Sequence, residues 1–278
     1  MSKSPESWTE YVAPGIYPMT WLSYAMEKGL SRSDLVYQAG IAREDAVSFS
    51  LGIRVSKLYR LMMDIISRLG DDAIGFEVGW RMPPIAFGSL GQAALACDTG
   101  RDALELFQRY WRLISRGIQI DVSLNGNLYV ATFTLLFPLV EPLRHIVFEL
   151  AIASFYRAVI GLVPHAAEQT EVWLDVPEPS YGSRLRDRIP GLSFGKPIVQ
   201  IRCPASFMDA PLPMASPAGR LTAIEQCNAE ERLLKLEGKV SFLVQKKLGI
   251  ASAGFPSIDE MASQLNIPVR ALRRQLAE

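Results

Sequence analysis

From Ile118 to Leu136 the apolar residues stop recurring at every third or fourth position and alternate instead. Ile118, Ile120, Val122 and Leu124 are separated by Gln119, Asp121 and Ser123. After Asn125-Gly126 a second run resumes from Leu128 to Leu136. Alternation sends successive side chains to opposite faces of a strand, and an Asn-Gly pair suits the positive φ angles of a tight hairpin turn. A hairpin set among helical segments restricts the chain to an α+β fold.

The segments around the hairpin carry the helical period. Met19 to Lys28 is amphipathic, and Ser31-Arg32-Ser33-Asp34 supplies cap chemistry for a short helix ending near Gly40. From Val55 to Leu69, the positions Val55, Leu58, Tyr59, Met62, Ile65, Ile66 and Leu69 predict a helix with one buried face. Further helices are expected over Ala73–Gly79, from Phe87 through Cys97, after an N-cap at Thr99, and over Glu141–Leu162. Glu171–Val176 and Ile198–Ile201 read as strands. Residues 1 to 18, with Pro5, Pro14, Gly15 and Pro18, read as an irregular arm. The prolines at 204, 211, 213 and 217 mark an expected domain edge, followed by helices over Ala223–Leu236 and Lys239–Leu248.

Composition narrows the class of molecule. Hydrophobic residues make up 49% and charged residues 21%, a globular balance that excludes a disordered chain. The start, MSKSPESWTE, has no apolar signal core. The stretch Leu135 to Val163 is interrupted by Glu141, Arg144, Glu149 and Arg157, so no membrane span is expected. Cys97, Cys203 and Cys227 are few, distant and odd in number, as in a reduced, cytoplasmic protein. Net charge is zero, yet from Arg232 onward eight Lys and Arg face four Asp and Glu, whereas residues 1 to 231 hold 21 against 25. A basic end on an acidic body is compatible with phosphate contact.

The last two segments explain where that charge goes. Ser257 and Glu260 have capping-box spacing, and Ile258, Met261, Ala262 and Leu265 give a short apolar face. Asn266 is suited to end that helix. In the next helix Val269, Leu272 and Leu276 are expected to point inward, leaving Arg270 and Arg274 on the opposite face with Ala271 and Arg273 beside them. Guanidinium groups so placed can pair with guanine edges or hold phosphates in a major groove. The alternative is a solvated helix end whose arginines only offset the helix dipole.

The segments Ser257–Asn266 and Val269–Leu276 resemble the first helix-turn-helix of the AraC/XylS regulators. Arg81–Ser115 and Val55–Gly79 are similar to the arabinose-binding-like effector domain of one branch of that family. The resemblance implies a mostly helical effector-binding and dimerisation domain over residues 1–215 with a small antiparallel sheet. A linker helix at 216–238 follows, then an incomplete all-α DNA-binding domain at 239–278. It implies double-stranded DNA, a small-molecule effector and a second copy of the chain as partners. Arg270, Ala271, Arg273 and Arg274 are the implied DNA-contacting residues. Family members carry two helix-turn-helix units, and residues up to Glu278 reach into the first, so on this reading residues 1 to 278 alone bind DNA weakly. Where Pro268 stands the family usually has a capping serine or threonine.

No other chemistry stands out. His145 and His165 lack partners at metal-ligand spacing, and His145, beside Arg144 and near Glu149, is expected to be a surface or structural residue. No nucleophile elbow, Walker loop or dinucleotide fingerprint occurs, so neither catalysis nor a cofactor is expected. Gly88-Ser89-Leu90-Gly91 reads as close packing. Trp80, Phe87, Tyr110 and Trp111 are candidate cavity linings, although aromatics at helical spacing are more often core. The effector residues cannot be named from sequence. Pairing is expected through the N-terminal domain or through Ala223–Leu236, whose Ile224, Cys227 and Leu234 form an apolar stripe. The competing reading is a ligand-binding or interaction module without DNA function.

Overall fold

The computed structural model describes residues 11–42, 49, 52–236, 244, 248, 256–265 and 267–277. The arm before residue 11, most of the helix expected over 239–248, Phe255 and Asn266 lie outside the described residues. The chain divides into two compact units, Met1–Cys227 and Asn228–Glu278.

The first unit opens with β1 (Val12–Ala13), α1 (Ile16–Glu27), α2 (Arg32–Gln38) and β2 (Ile53–Arg54), with β1 and β2 pairing antiparallel. Next come α3 (Val55–Leu69) and α4 (Ile74–Trp80), a 3-10 turn at Pro84–Phe87, α5 (Gly88–Leu95) and α6 (Gly100–Tyr110). The hairpin β3 (Ile118–Asn125) and β4 (Leu128–Leu135) precedes α7 (Leu143–Leu162). Then follow β5 (Glu171–Trp173), α8 (Gly182–Arg186), β6 (Leu192–Ser193), β7 (Val199–Pro204), α9 (Ala205–Met208) and α10 (Pro217–Leu236), whose residues from Asn228 onward belong to the second unit. The second unit ends in α11 (Ile258–Leu265) and α12 (Val269–Ala277).

The helices stand close to where periodicity and caps place them. In α3 the buried side chains are Leu58, Leu61, Met62 and Ile65, and Gly70 stops the helix in the left-handed conformation at φ +57°. At the start of α6, Thr99 Oγ1 accepts from the Asp102 amide at 3.2 Å while the Asp102 carboxylate accepts from the Thr99 amide at 3.0 Å, closing a capping box. The hairpin differs in one detail. Asn125 pairs with Leu128, so the turn residues are Gly126 and Asn127 rather than Asn125 and Gly126. Gly126 has φ +63° and Asn127 does not enter positive φ, as in a turn with glycine at the first central position.

The main sheet has the order β3-β4-β7-β5-β6 and is antiparallel except for the β5–β6 pair. The segment between Val176 and Gly195 contributes α8 and the short β6. Packing also continues through the proline cluster, expected as an edge at about residue 215, as far as Cys227. The Leu212 amide donates to the Asp98 carbonyl at 2.9 Å and the Ser216 amide to Ala96 at 3.0 Å. Further along α10, Ala223 and Cys227 are buried, and the Cys227 thiol donates to Ser89 Oγ at 3.4 Å. Part of the stripe foreseen for pairing is thus used inside the unit. All three cysteines are buried without a disulfide, and burial pushes the Cys97 thiol up to about 11.

At the centre lies α7. By length and composition it could cross a membrane, but 72% of its most apolar stretch is buried in the fold. Phe155 on α7 meets Phe133 of β4, Phe107 of α6 and Trp111 edge-on, at centroid distances of 5.3, 5.7 and 6.4 Å. On another side, α4 lies flush against it. A Cβ added to Gly75 would stand 2.5 Å from the Ile146 carbonyl oxygen, and one added to Gly79 would collide with that of Leu150.

One charged group is buried on this helix. Glu149 is 1% exposed. Its Oε1 lies 2.8 Å from His145 Nε2, one turn back, and accepts from the Tyr181 hydroxyl at 2.9 Å. Its Oε2 is buried without a hydrogen-bond partner. The bond to Glu149 raises the His145 pKa above its ordinary value. Burial, and then the Glu149 charge, push the Tyr181 phenol up. His145, expected to be a surface or structural residue, ties down a buried carboxylate.

Two outcomes follow for stability. Alanine is favoured over glycine by about 1 kcal/mol in an ordinary helix, but Gly75→Ala and Gly79→Ala should each destabilise by about 1–3 kcal/mol, because the added methyl meets backbone. Denaturant unfolding of the two variants measures both sign and size. A histidine whose folded pKa is raised contributes stability that is fully present below its ordinary pKa of about 6.5. That contribution is lost as pH rises through the raised value. The melting temperature of the parent should therefore fall on going from about pH 6 to about pH 8 more steeply than that of His145→Ala, and the variant should be the less stable at the acid end.

Candidate nucleic-acid interface

The second unit is small, and local chemistry fixes much of it. Glu260 Oε2 accepts from the Ser257 amide at 2.7 Å and from its hydroxyl at 2.9 Å, while the Glu260 amide donates to Ser257 Oγ at 3.3 Å. The bonds from Ser257 hold the Glu260 carboxyl below the usual carboxylate range. This is the capping box expected from the spacing, and it starts α11 at Ile258.

The Ile267 amide then bonds the Ala262 carbonyl at 3.0 Å, and α12 begins directly after Pro268. Proline there has no side-chain acceptor but holds a fixed φ, and the Leu272 amide reaches the Pro268 carbonyl at 3.0 Å. Met261, Ala262 and Leu272 form the buried centre. Val244, Leu248, Ile258, Leu265, Ile267 and Val269 pack partly around it.

Because Leu272 is anchored inward, the opposite side of α12 is turned outward. Arg270, Arg273 and Arg274 are exposed, and Ala271 is half-buried between the two faces. Arg270 and Arg274, one turn apart, form a single ridge with Arg273 on its flank. Leu276, expected to point inward, is 42% exposed. The core is centred on Leu272, and Leu276 stands one helical turn, about 6 Å, beyond it. The geometry is that of two short helices joined by a tight turn, with cationic forks on the outer face of the second.

In the first unit, the aromatics considered as cavity linings are packed into the core against other side chains. Trp80 stacks between Phe76 and Tyr156 at 5.5 and 6.2 Å, with Arg157 over its face at 4.9 Å. Phe87 meets Phe107 edge-on at 5.9 Å, and Tyr110 is buried. A cavity of about 20 Å³ lies between α6 and α7, lined by Leu104, Phe107, Phe155, Val159, Leu162 and Met208 among others. That is room for about one water, in a lining without polar side chains. The contact of Tyr181 with Glu149 was hidden from sequence reading because 32 residues separate them. Only the His145–Glu149 spacing of one turn could have hinted at it.

Comparison with known proteins relates the chain to transcription regulators. Residues 29–212 match the profile described as the arabinose-binding domain of AraC transcription regulators, N-terminal. The ornithine utilization regulator of Pseudomonas aeruginosa is 23% identical over 277 residues, covering 99% of this chain and 81% of its own. An uncharacterized HTH-type transcriptional regulator of Mycobacterium tuberculosis is 27% identical over 263 residues, covering 91% and 75%. The crystal structure of the transcriptional regulator CdpR from Pseudomonas aeruginosa shares the fold at 17% identity, with a TM-score of 0.52 over 88% of this chain and 76% of that one. With a matching profile that spans well over half of its length, the chain belongs to the AraC transcription regulators that carry an arabinose-binding-type N-terminal domain.

Proposed function

We propose that this regulator reads double-stranded DNA through α12 and answers to a small-molecule effector bound by its first unit, acting in the cytoplasm as a homodimer. The observation that carries the reading is the division of α12 into two faces. Leu272 is fully buried, while Arg270, Arg273 and Arg274 are presented to solvent on a helix locked by the capped α11. A helix held by one face and armed with guanidinium groups on the other is what major-groove docking requires. The effector role rests on the family and on the relative named for ornithine utilization. Amino acids, ornithine included, therefore head the panel for a thermal-shift screen, since a ligand that prefers the folded state raises its melting temperature.

The DNA reading is tested with duplexes selected from a random pool for binding to a version of the chain that carries both helix-turn-helix units of the family, which serves as the parent. Arg270→Ala and Arg274→Ala should leave thermal unfolding nearly unchanged, because exposed substitutions stay within about 0.5 kcal/mol. Loss of a base contact should weaken the selected duplex by about 1–3 kcal/mol and relax one position of the site, whereas loss of a phosphate contact should weaken all duplexes alike and flatten the salt dependence. Leu272→Ala should instead cost stability first, because it opens a cavity in a very small core. Binding of selected and random duplexes by both arginine variants at parental strength would remove α12 from the interface.

A further inference from the structure

The two edges of the main sheet are unlike. At one end stands β6, two residues long and followed by Gly195 at φ +66°. At the other stands β3, eight residues paired with β4 in continuous register from Ile118↔Leu135 to Asn125↔Leu128, without a bulge. It contains no proline and no lysine, the devices that keep open edges from pairing.

The direction of its free groups can be read from the ladder. The Leu136 amide donates to the Gly117 carbonyl at 3.0 Å, so Gly117 faces β4 and, by alternation, Ile118, Ile120, Val122 and Leu124 direct their amides and carbonyls away from it. Ile118 confirms this. Its amide bonds Ser115 Oγ at 3.2 Å, and its carbonyl accepts the Trp111 indole N–H at 2.6 Å. Trp111 and Ser115 thus close the first position of the edge, and among the described residues no backbone partner is found for Ile120, Val122 and Leu124 on that side. Leu124 is 53% exposed.

We propose that β3 pairs antiparallel with β3 of a second copy about a two-fold axis through Val122, joining two sheets into one; this rests on the homodimer reading above. The side chains select that register. An axis through Asp121 would set two carboxylates opposite each other, which is unfavourable in a cross-strand pair. The axis through Val122 places Ile120 opposite Leu124 and Asp121 opposite Ser123, whose hydroxyl can donate to the carboxylate. It also matches each open amide and carbonyl of Ile120, Val122 and Leu124 with a counterpart, and main-chain pairing of this kind is a general route to association. An isologous contact needs a patch that is complementary to itself, and this strand meets that condition at Val122.

The test uses the full chain. In sedimentation at micromolar concentration the parent should be a dimer and Val122→Pro a monomer. The Val122 amide does not bond β4, so proline there removes no hydrogen bond from the fold, and circular dichroism and melting temperature should stay near the parent's. Val122→Cys gives a second readout. Facing residues of a hydrogen-bonded pair have Cα atoms about 5.5 Å apart, within disulfide reach, so the oxidised variant should crosslink to itself while Gln119→Cys does not. A Val122→Pro chain that remains dimeric, or a Val122→Cys chain that fails to crosslink, overturns this interface and leaves pairing itself standing. A monomeric parent overturns both.

Discussion

A helix with almost no polar side must be covered all round, and α7 imposes that demand on everything else in the first unit. Its thirteen buried residues point in every direction around the axis, so no single partner suffices. The α4 face supplies one wall, and it can approach closely only because Gly75 and Gly79 stand one turn apart and present backbone to backbone. The sheet supplies a second through Phe133, and α6 a third through Phe107. Burial of apolar surface drives the assembly, but which neighbour may sit where is decided by a missing side chain on one helix and aromatic edges on the others.

Burial on that scale leaves little room for charge, and Glu149 shows how the fold tolerates one. Its carboxylate is too deep to be solvated, and such a group persists only with partners. His145 from the same helix and Tyr181 from a distant loop converge on one of its oxygens. The arrangement links the loop before α8 to the axis of α7. A change in the protonation of His145 is therefore felt by two elements at once, which makes the cluster a structural joint of the unit as well as a titrating site.

How much of this was legible depended on whether the cause was local. The helix over Val55–Leu69, the Thr99 cap, the hairpin and the Ser257 capping box depend on neighbours in sequence, and they stand where spacing put them. The turn moved by one residue because pairing of Asn125 with Leu128 completes the ladder and leaves Gly126 to take the positive φ. What sequence could not show was set at long range. Gly75 and Gly79 look like helix-weakening residues until α7 is beside them. The proline cluster looks like a boundary until its amides are seen bonding the 96–99 loop. Leu276 fits the helical period as well as Leu272 does, yet a three-residue core centre has room for only one of them.

The same small core bears on what α12 can do. Among the described residues of this unit the buried centre is Met261, Ala262 and Leu272, and with so few buried side chains among them caps and turns contribute much of the local order. The Ser257–Glu260 box and the Pro268 start therefore set the orientation of α12 as much as packing does. For a surface meant to meet a groove this has a consequence: the direction of Arg270 and Arg274 is governed by bonds at the helix ends, away from the arginines themselves. A guanidinium pair one turn apart can match base edges only when the helix beneath it is fixed in rotation. Here the rotation is fixed by one leucine, anchored under the exposed ridge and flanked by two well-defined helix starts.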